Sequence, residues 1–326
     1  MNQITIKKSS LIRFLQLIFS LGYGAYIVFY LNKHYILDSG DIMSLVMNSD
    51  SFQSLDSIFG YYGTIISILL SGDAVFRVVV FLLSDFLNQT SIGVLGILAF
   101  IISSTTFFIY CINIGQRKYL FFVLLLFLMV FFTPRVINLF ASGVRSGMAF
   151  MFLLVALVYL KGLKQHLFML FSLLIHLSMA PIIGFYFLYN WIDKQRIRLS
   201  FGVYLLILLL SSLIIAIVSP QLNLTNSPIN QSILYMSLVA YLGLLMIFVN
   251  KKVVRNVYGF ISLGLILVVL LGYSNEFSFI RYIGNAIIFY LLFILKEGSP
   301  RTLHLFTIGY MPFFLVTLYY SISNYW

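Results

Sequence analysis

Long apolar stretches, separated by short polar segments, run along most of this chain. A helix of about 20 predominantly apolar residues is long enough to cross a bilayer. The stretches predict helices at about 11–31, 92–112, 118–133, 143–160, 199–218, 233–250, 257–273, 279–296 and 302–322. The pattern therefore indicates an all-α polytopic membrane protein.

The stretch from 166 to 191 has the length of one crossing but the wrong flanking charges. Lys161 and Lys164 precede it, and three basic residues follow it within 194–198. Lys and Arg accumulate on the cytoplasmic side of a membrane. A single crossing would place one of these two groups outside, whereas two crossings keep both inside.

The same stretch carries a break near its middle. His176, Ser178 and Pro181 interrupt the apolar run, and proline ends or kinks a helix. Broken helices at membrane depth are tolerated where they line a cavity. We therefore predict a hairpin of two short helices, 166–177 and 178–192, with His176 near its tip.

These elements give about eleven crossings, with the N-terminus in the cytoplasm and the C-terminus on the outer side. The longest outer segment is 32–91, and helices within it are expected to lie at the membrane interface. The whole chain, 1–326, is expected to form a single integral membrane domain. Fifteen of the twenty Lys and Arg then lie in the N-terminus or in cytoplasmic loops.

Composition agrees with a membrane protein. The chain is 61% hydrophobic and 9% charged, with a mean hydropathy of +1.04, whereas about 25% of the residues in soluble domains are charged. The net charge of +11 comes from small clusters between apolar stretches, so it does not indicate nucleic-acid binding. With one cysteine, Cys111, and no zinc-like His/Cys spacing, the sequence predicts no disulfide within the chain, no metal site and no cofactor.

Five basic residues break the charge rule, because they fall on the predicted outer face. Charged residues in or beside membrane helices are functional by default, and a set of cations is suited to holding anions. The five are Lys33, Arg77, Arg135, Arg145 and Arg281.

Arg145 has the most informative surroundings, at the predicted outer start of a helix. Gly143 and Gly147 flank it, and small residues at this spacing let another backbone approach closely. A guanidinium beside free backbone donors at a helix start suits a pyrophosphate or a carboxylate. The alternative is an arginine that extends to the interface or pairs with an acid.

The other arginines have simpler explanations beside the functional one. Arg281 also starts a helix, where a local pair with Glu276 is the alternative. Arg135 follows Pro134 in a short predicted outer loop, so a lipid headgroup contact competes with a substrate contact. Arg77 lies in the outer segment and is a weaker candidate of the same kind.

Three residues are candidates for proton transfer. His176 lies inside an apolar stretch, and its near-neutral pKa suits an acid or base. Asp38 and Asp41 follow the first helix, and a sugar hydroxyl needs a carboxylate or histidine within hydrogen-bond reach. The alternatives are a buried core histidine and a solvated loop.

Five segments, taken in order, resemble a known family. Ser142–Ala149 resembles the Arg-containing segment, and Leu174–Ala180 the His-x-Ser-Ala segment, of EpsG-like and Wzy-type polysaccharide polymerases. Phe279–Tyr282 resembles their late arginine segment, Asp41 matches an early acidic site, and Gly72–Phe76 resembles an acidic-x-x-Phe segment. The order and spacing of these segments match the family over most of the chain, about residues 30–295.

The resemblance implies that the protein joins lipid-linked oligosaccharide repeats on the outer face of a bacterial inner membrane. Undecaprenyl pyrophosphate would carry the donor chain and leave on transfer, without a metal. The implied catalytic residues are Arg145 and Arg281 on the pyrophosphate, with His176 or Asp41 on the acceptor hydroxyl. The implied substrate-binding residues are Arg135, Arg77, Asp38, Asp73 and Glu276.

The implied partners are the lipid-linked oligosaccharide, membrane lipids, a chain-length regulator and a flippase, with no nucleic acid. A flippase or transporter for lipid-linked sugars is one alternative, although the internal repeats that many transporters carry are not visible in the sequence. An O-antigen ligase-type glycosyltransferase and an acyltransferase that uses His176 are the others.

Overall fold

A computed structural model of the chain describes residues 8–34, 74–114, 120–141, 143–195, 199–218, 233–272 and 281–323. Within these residues the fold is all-helical, with thirteen α-helices. The helices are α1 Lys8–His34, α2 Ala74–Leu87, α3 Ser91–Ile114, α4 Leu120–Phe131, α5 Pro134–Phe140, α6 Val144–Tyr159, α7 Leu163–Ile175, α8 Ala180–Lys194, α9 Phe201–Val218, α10 Ile233–Val249, α11 Val257–Gly272, α12 Arg281–Glu297 and α13 Pro300–Ser323. Two short 3-10 turns, Leu177–Met179 and Lys251–Arg255, complete the described elements.

The chain is a multi-pass membrane protein. In the described part, four helices are long and apolar enough to cross a membrane: α1, α3, α9 and α13. α4 and α5 form a fifth candidate, bent by 62° at the break between them. α6, α7, α10 and α11 are apolar but shorter.

The surface of the longest apolar helices is suited to lipid. Phe19 and Phe29 of α1 are 66% and 65% exposed, and Ile214 of α9 is 62% exposed. By contrast, the residues of α12 from Tyr282 to Leu295 are all buried. An apolar helix that exposes large side chains needs a nonpolar solvent, so α1 and α9 are suited to the lipid boundary while α12 forms a core.

The described chain divides into two compact units. One unit contains α1, α2, α3, α6 and α7. In it, Tyr23 of α1 stacks on Phe107 of α3 with ring centroids 4.7 Å apart, and the side-chain amide of Gln16 donates to the Cys111 carbonyl at 2.7 Å. Aromatic packing and side-chain-to-backbone bonds therefore hold α1 against α3.

The second unit contains α4 and α8 to α13, and α12 forms its core. Hydroxyl groups join its helices: Ser262 of α11 donates to the Ala286 carbonyl of α12 at 2.7 Å. Tyr290 of α12 donates to the Met246 carbonyl of α10 at 3.0 Å. Hydrogen bonds between helices are a usual means of association where lipid weakens the hydrophobic driving force.

The sequence predicts most of these helices within a few residues of their observed bounds. The predicted break near His176 is confirmed, since α7 ends at Ile175 and α8 begins at Ala180. The hairpin arrangement, the interfacial helices of 32–91 and the single domain stay predictions. The short loop predicted after Pro134 is wrong: these residues form α5, because proline is well tolerated in the first turn of a helix.

A tight turn between α6 and α7 depends on Gly162, whose φ is +61° and ψ −141°. Only glycine adopts this conformation without strain. We expect Gly162→Ala to destabilise the protein by about 1–3 kcal/mol, seen as a lower midpoint in thermal unfolding of the purified protein. Gly184→Ala in α8 is the control: it also has open space around the new methyl group but no positive φ. Equal midpoints for the two variants would contradict the prediction.

Candidate functional site

Arg145 is the second residue of α6 and is half-buried. The helix start packs closely on the preceding segment: a Cβ added at Gly147 would lie 2.7 Å from the Leu139 carbonyl oxygen. The amide of Gly143 donates to the Asn138 carbonyl at 2.9 Å. The close approach predicted from the two glycines is therefore present, and it fixes the backbone that carries Arg145.

His176 lies in the break after α7 and is 7% exposed. Its backbone is extended, and its amide donates to the Ser172 carbonyl at 3.0 Å. Ser178 follows in the 3-10 turn, where its buried hydroxyl has no hydrogen-bond partner among the described residues. Pro181 stands in the first turn of α8. The three residues that predict the break thus coincide with it.

The antiparallel pair α6 and α7 brings Arg145 and His176 to the same end. The Ser172 hydroxyl donates to the Ala149 carbonyl at 2.7 Å. Ala149 is one helical turn after Arg145, and Ser172 is one turn before His176, about 6 Å along each axis. The opposite end of the pair is the Gly162 turn.

That opposite end carries Lys161 and Lys164, both exposed. The sixteen residues of α6 span about 24 Å at 1.5 Å per residue. The two lysines are therefore separated from Arg145 and His176 by most of the thickness of a hydrocarbon core, which is about 30 Å. In this helix pair, the two candidate site residues lie at one end, and the lysines predicted to set the orientation in the membrane lie at the other.

Arg135, in the second unit, is fixed by an aromatic side chain. Its Nε donates to the Tyr235 hydroxyl at 2.9 Å, and its guanidinium carbon lies 5.1 Å from the centroid of that ring. Arg135 stands in the first turn of α5 and Tyr235 in the first turn of α10. The bond therefore joins two helix starts that are far apart in sequence.

The start of α12 lies against the same place. A Cβ added at Gly284 would lie 2.8 Å from the Arg135 carbonyl oxygen. Arg281 begins α12 only three residues earlier, so the backbones of Arg135 and Arg281 share one end of this unit. Asn285 is 1% exposed, and its Oδ1 accepts no hydrogen bond from the described residues.

A buried hydroxyl pair supports the bend between α4 and α5. Thr133 Oγ1 lies 2.6 Å from the Tyr310 hydroxyl of α13 and 2.8 Å from the Met129 carbonyl oxygen. Because the single Thr133 proton goes to Met129, the Tyr310 hydroxyl donates to Thr133. This pair fixes the residue two positions before Arg135.

The other end of the second unit collects basic residues. Arg255 donates from Nη2 to the Leu199 carbonyl at 3.4 Å, and the Tyr189 hydroxyl donates to the Arg255 carbonyl at 2.7 Å. Lys296, at the last turn of α12, donates to the Tyr258 hydroxyl at 2.9 Å. Three loops that the sequence assigns to the cytoplasm therefore meet at one end, opposite Arg135 and the start of α12.

The remaining predicted residues contribute less to either arrangement. Arg77 is half-buried in α2, a helix of 14 residues and about 21 Å, which the sequence places in the outer segment. Within the described ranges, no group of three or more His, Cys, Asp or Glu could hold a metal ion. Four predicted site residues lie outside the described residues: Asp38, Asp41, Asp73 and Glu276.

Sequence reasoning missed Tyr235, Thr133, Tyr310 and Asn285. Tyrosines near helix ends are typical of the membrane interface, so Tyr235 carried no special signal. Comparison of the chain with known proteins gives no further identification: no family model, curated protein or solved structure matches it. The roles predicted for Arg145, Arg281 and His176 stay predictions.

Proposed function

We propose that the protein is a metal-independent membrane glycosyltransferase that polymerises undecaprenyl-pyrophosphate-linked oligosaccharide repeats into a surface polysaccharide. One observation carries the proposal. In one unit, Arg145 and His176 lie at the end of the α6–α7 pair opposite Lys161 and Lys164. In the other, Arg135 and the start of α12 lie at the end opposite Arg255 and Lys296.

This distribution supports the orientation that the proposal needs. Lys and Arg in short loops mark the cytoplasmic side, so the ends with Arg145 and Arg135 would face outward. In the proposed topology of about eleven crossings, the shorter apolar helices also cross the membrane, in a locally thinned bilayer. Charged residues inside membrane proteins commonly mark the path of a charged substrate.

The proposed reaction is a transfer of the growing sugar chain. A hydroxyl oxygen of the lipid-linked acceptor repeat attacks the anomeric carbon of the donor chain and forms a new glycosidic bond. The bond from that carbon to the pyrophosphate oxygen breaks, and its electron pair leaves with undecaprenyl pyrophosphate. The hydroxyl proton passes to a base, so atoms and charge balance.

The described residues supply groups for these steps. Arg145 would offer two parallel donors to the departing pyrophosphate, where negative charge grows during the reaction. His176, at the same end of the α6–α7 pair, would accept the hydroxyl proton, since an imidazole nitrogen suits proton transfer within hydrogen-bond reach. The sequence predicts that Arg281 adds a further cation and that Asp41 is the other candidate base.

Deleting the gene in its own host tests the proposal. A polymerase deletion is expected to leave single repeats on the final acceptor, with no longer chains on a polysaccharide gel. Loss of a flippase or a ligase would instead remove every repeat from the acceptor. A normal ladder of chain lengths, or complete absence of repeats, would reject the polymerase.

A further inference from the structure

We infer that Arg135 and Tyr235 form a binding site for the phosphate group of a lipid. The contacts that support this site do not depend on the proposed reaction. The Tyr235 hydroxyl accepts the hydrogen bond from Arg135 Nε at 2.9 Å. A guanidinium has five donors in a planar fork. With Nε engaged, the edge formed by Nη1 and Nη2 remains to hold two oxygens of one anion.

Among the described residues, no carboxylate pairs with Arg135. The polar contacts of its side chain there are the hydrogen bond to the Tyr235 hydroxyl and the contact with the Tyr235 ring. Its neighbours on α5 and in the turn before it supply no negative charge. The flanking Val136 is fully buried, and the nearby Thr133 hydroxyl bonds to Met129 and Tyr310. A half-buried guanidinium in such surroundings is costly unless an anion compensates it.

The position of Arg135 also differs from that of the Lys and Arg residues that set the orientation of the chain in the membrane. Tyr235 lies in the first turn of α10, and the basic turn Lys251–Arg255 follows the end of that helix. Fourteen residues separate Tyr235 from Val249, which is about 21 Å along the axis. Arg135 therefore lies at the end remote from the basic loops, where orientation of the chain does not require a positive charge.

Tyr235 is a positioning residue in this site. Its hydroxyl bonds to Nε and its ring lies beside the guanidinium, so it limits the rotation of a long side chain before any ligand arrives. Holding a binding group in place reduces the entropy lost on binding. The carbonyl of Arg135 against Gly284 fixes the backbone of the same residue.

Lipid binding to the full-length protein, measured by native mass spectrometry in detergent, tests this site. The probes are phosphatidylglycerol, farnesyl pyrophosphate and the phosphate-free lipid diacylglycerol. We expect Arg135→Gln to weaken binding of a phosphate-bearing probe about a hundredfold and Tyr235→Phe about tenfold, since hydrogen bonds to charged groups are strong. Diacylglycerol binding should not change in either variant.

The chain offers a matched control on the same helix. Tyr241→Phe also removes one hydroxyl from α10, but that hydroxyl donates to the Gly309 carbonyl at 2.7 Å and contacts no arginine. It should leave the affinity for all three probes unchanged. Arg135→Lys should rescue poorly, because an ammonium group lacks the planar fork.

The probes also separate the two sources of the phosphate. An effect confined to phosphatidylglycerol assigns the site to a bilayer lipid headgroup, and an effect confined to farnesyl pyrophosphate assigns it to a polyprenyl carrier. Either result supports the site whether or not the protein polymerises sugars. Equal affinity of the wild type and Arg135→Gln for both phosphate-bearing probes would overturn it, as would an equal loss of diacylglycerol binding.

Discussion

Arg145→Ala is expected to abolish long polysaccharide chains while the protein remains in the membrane. Arg145 lies at the start of α6, at the end of the α6–α7 pair that also holds His176. In the proposed reaction its guanidinium stabilises negative charge on the departing pyrophosphate. Loss of one such group typically slows a reaction by about a hundredfold to a thousandfold, which is enough to eliminate a processive product.

Chain length on a polysaccharide gel and membrane content by immunoblot together measure this effect. Arg145→Lys should restore little activity, because lysine keeps the charge but cannot bind phosphate with two parallel donors. Lys161→Ala is the matched control, since it removes an exposed cation from the opposite end of the same helix pair. A normal ladder in Arg145→Ala, with normal protein content, would reject its role.

A second arginine extends the same comparison to the other unit. Arg281 begins α12, and the sequence predicts that it also holds pyrophosphate. Arg281→Ala should therefore also remove long chains. Arg301→Ala, an exposed cation at the start of α13, should leave the ladder unchanged. The two pairs of variants distinguish a loss of particular cations from a general loss of positive charge.

The hydrophobic pattern predicts most of the helices because each forms from a continuous local stretch that lipid requires to be apolar and hydrogen-bonded within itself. The break at His176 was also predictable, since Pro181 and two polar residues are local signals. α5 was not, because Pro134 marks both the end of an apolar run and a favourable first turn of the next helix.

The contacts around Arg135 could not be predicted from one sequence. Arg135 and Tyr235 are 100 residues apart, and Thr133 and Tyr310 are 177 apart. No spacing in the sequence predicts either contact, because each depends on how separate helices pack. The arrangement of Arg145 with His176 was closer to prediction, since two consecutive antiparallel helices with a short turn bring their far ends together.

His176→Gln is expected to reduce the rate of polymerisation by about a hundredfold or more, which is the usual contribution of general acid–base catalysis. Glutamine is similar in size and polar, so it should preserve the break between α7 and α8 but cannot carry the proton. The measurement is the amount of long polysaccharide formed per unit of membrane-inserted protein, taken over a range of pH to reveal an imidazole.

His166→Gln provides the control on the same helix. His166 is exposed near the start of α7, ten residues and about 15 Å from His176, at the end with the lysines. If the buried histidine transfers a proton, only His176→Gln should lose activity and its pH dependence. If both variants keep normal activity, the base must be sought elsewhere, with Asp41 the sequence's other candidate. Equal losses would instead indicate that both substitutions disturb the packing of α7, a result that a parallel loss of protein from the membrane would identify.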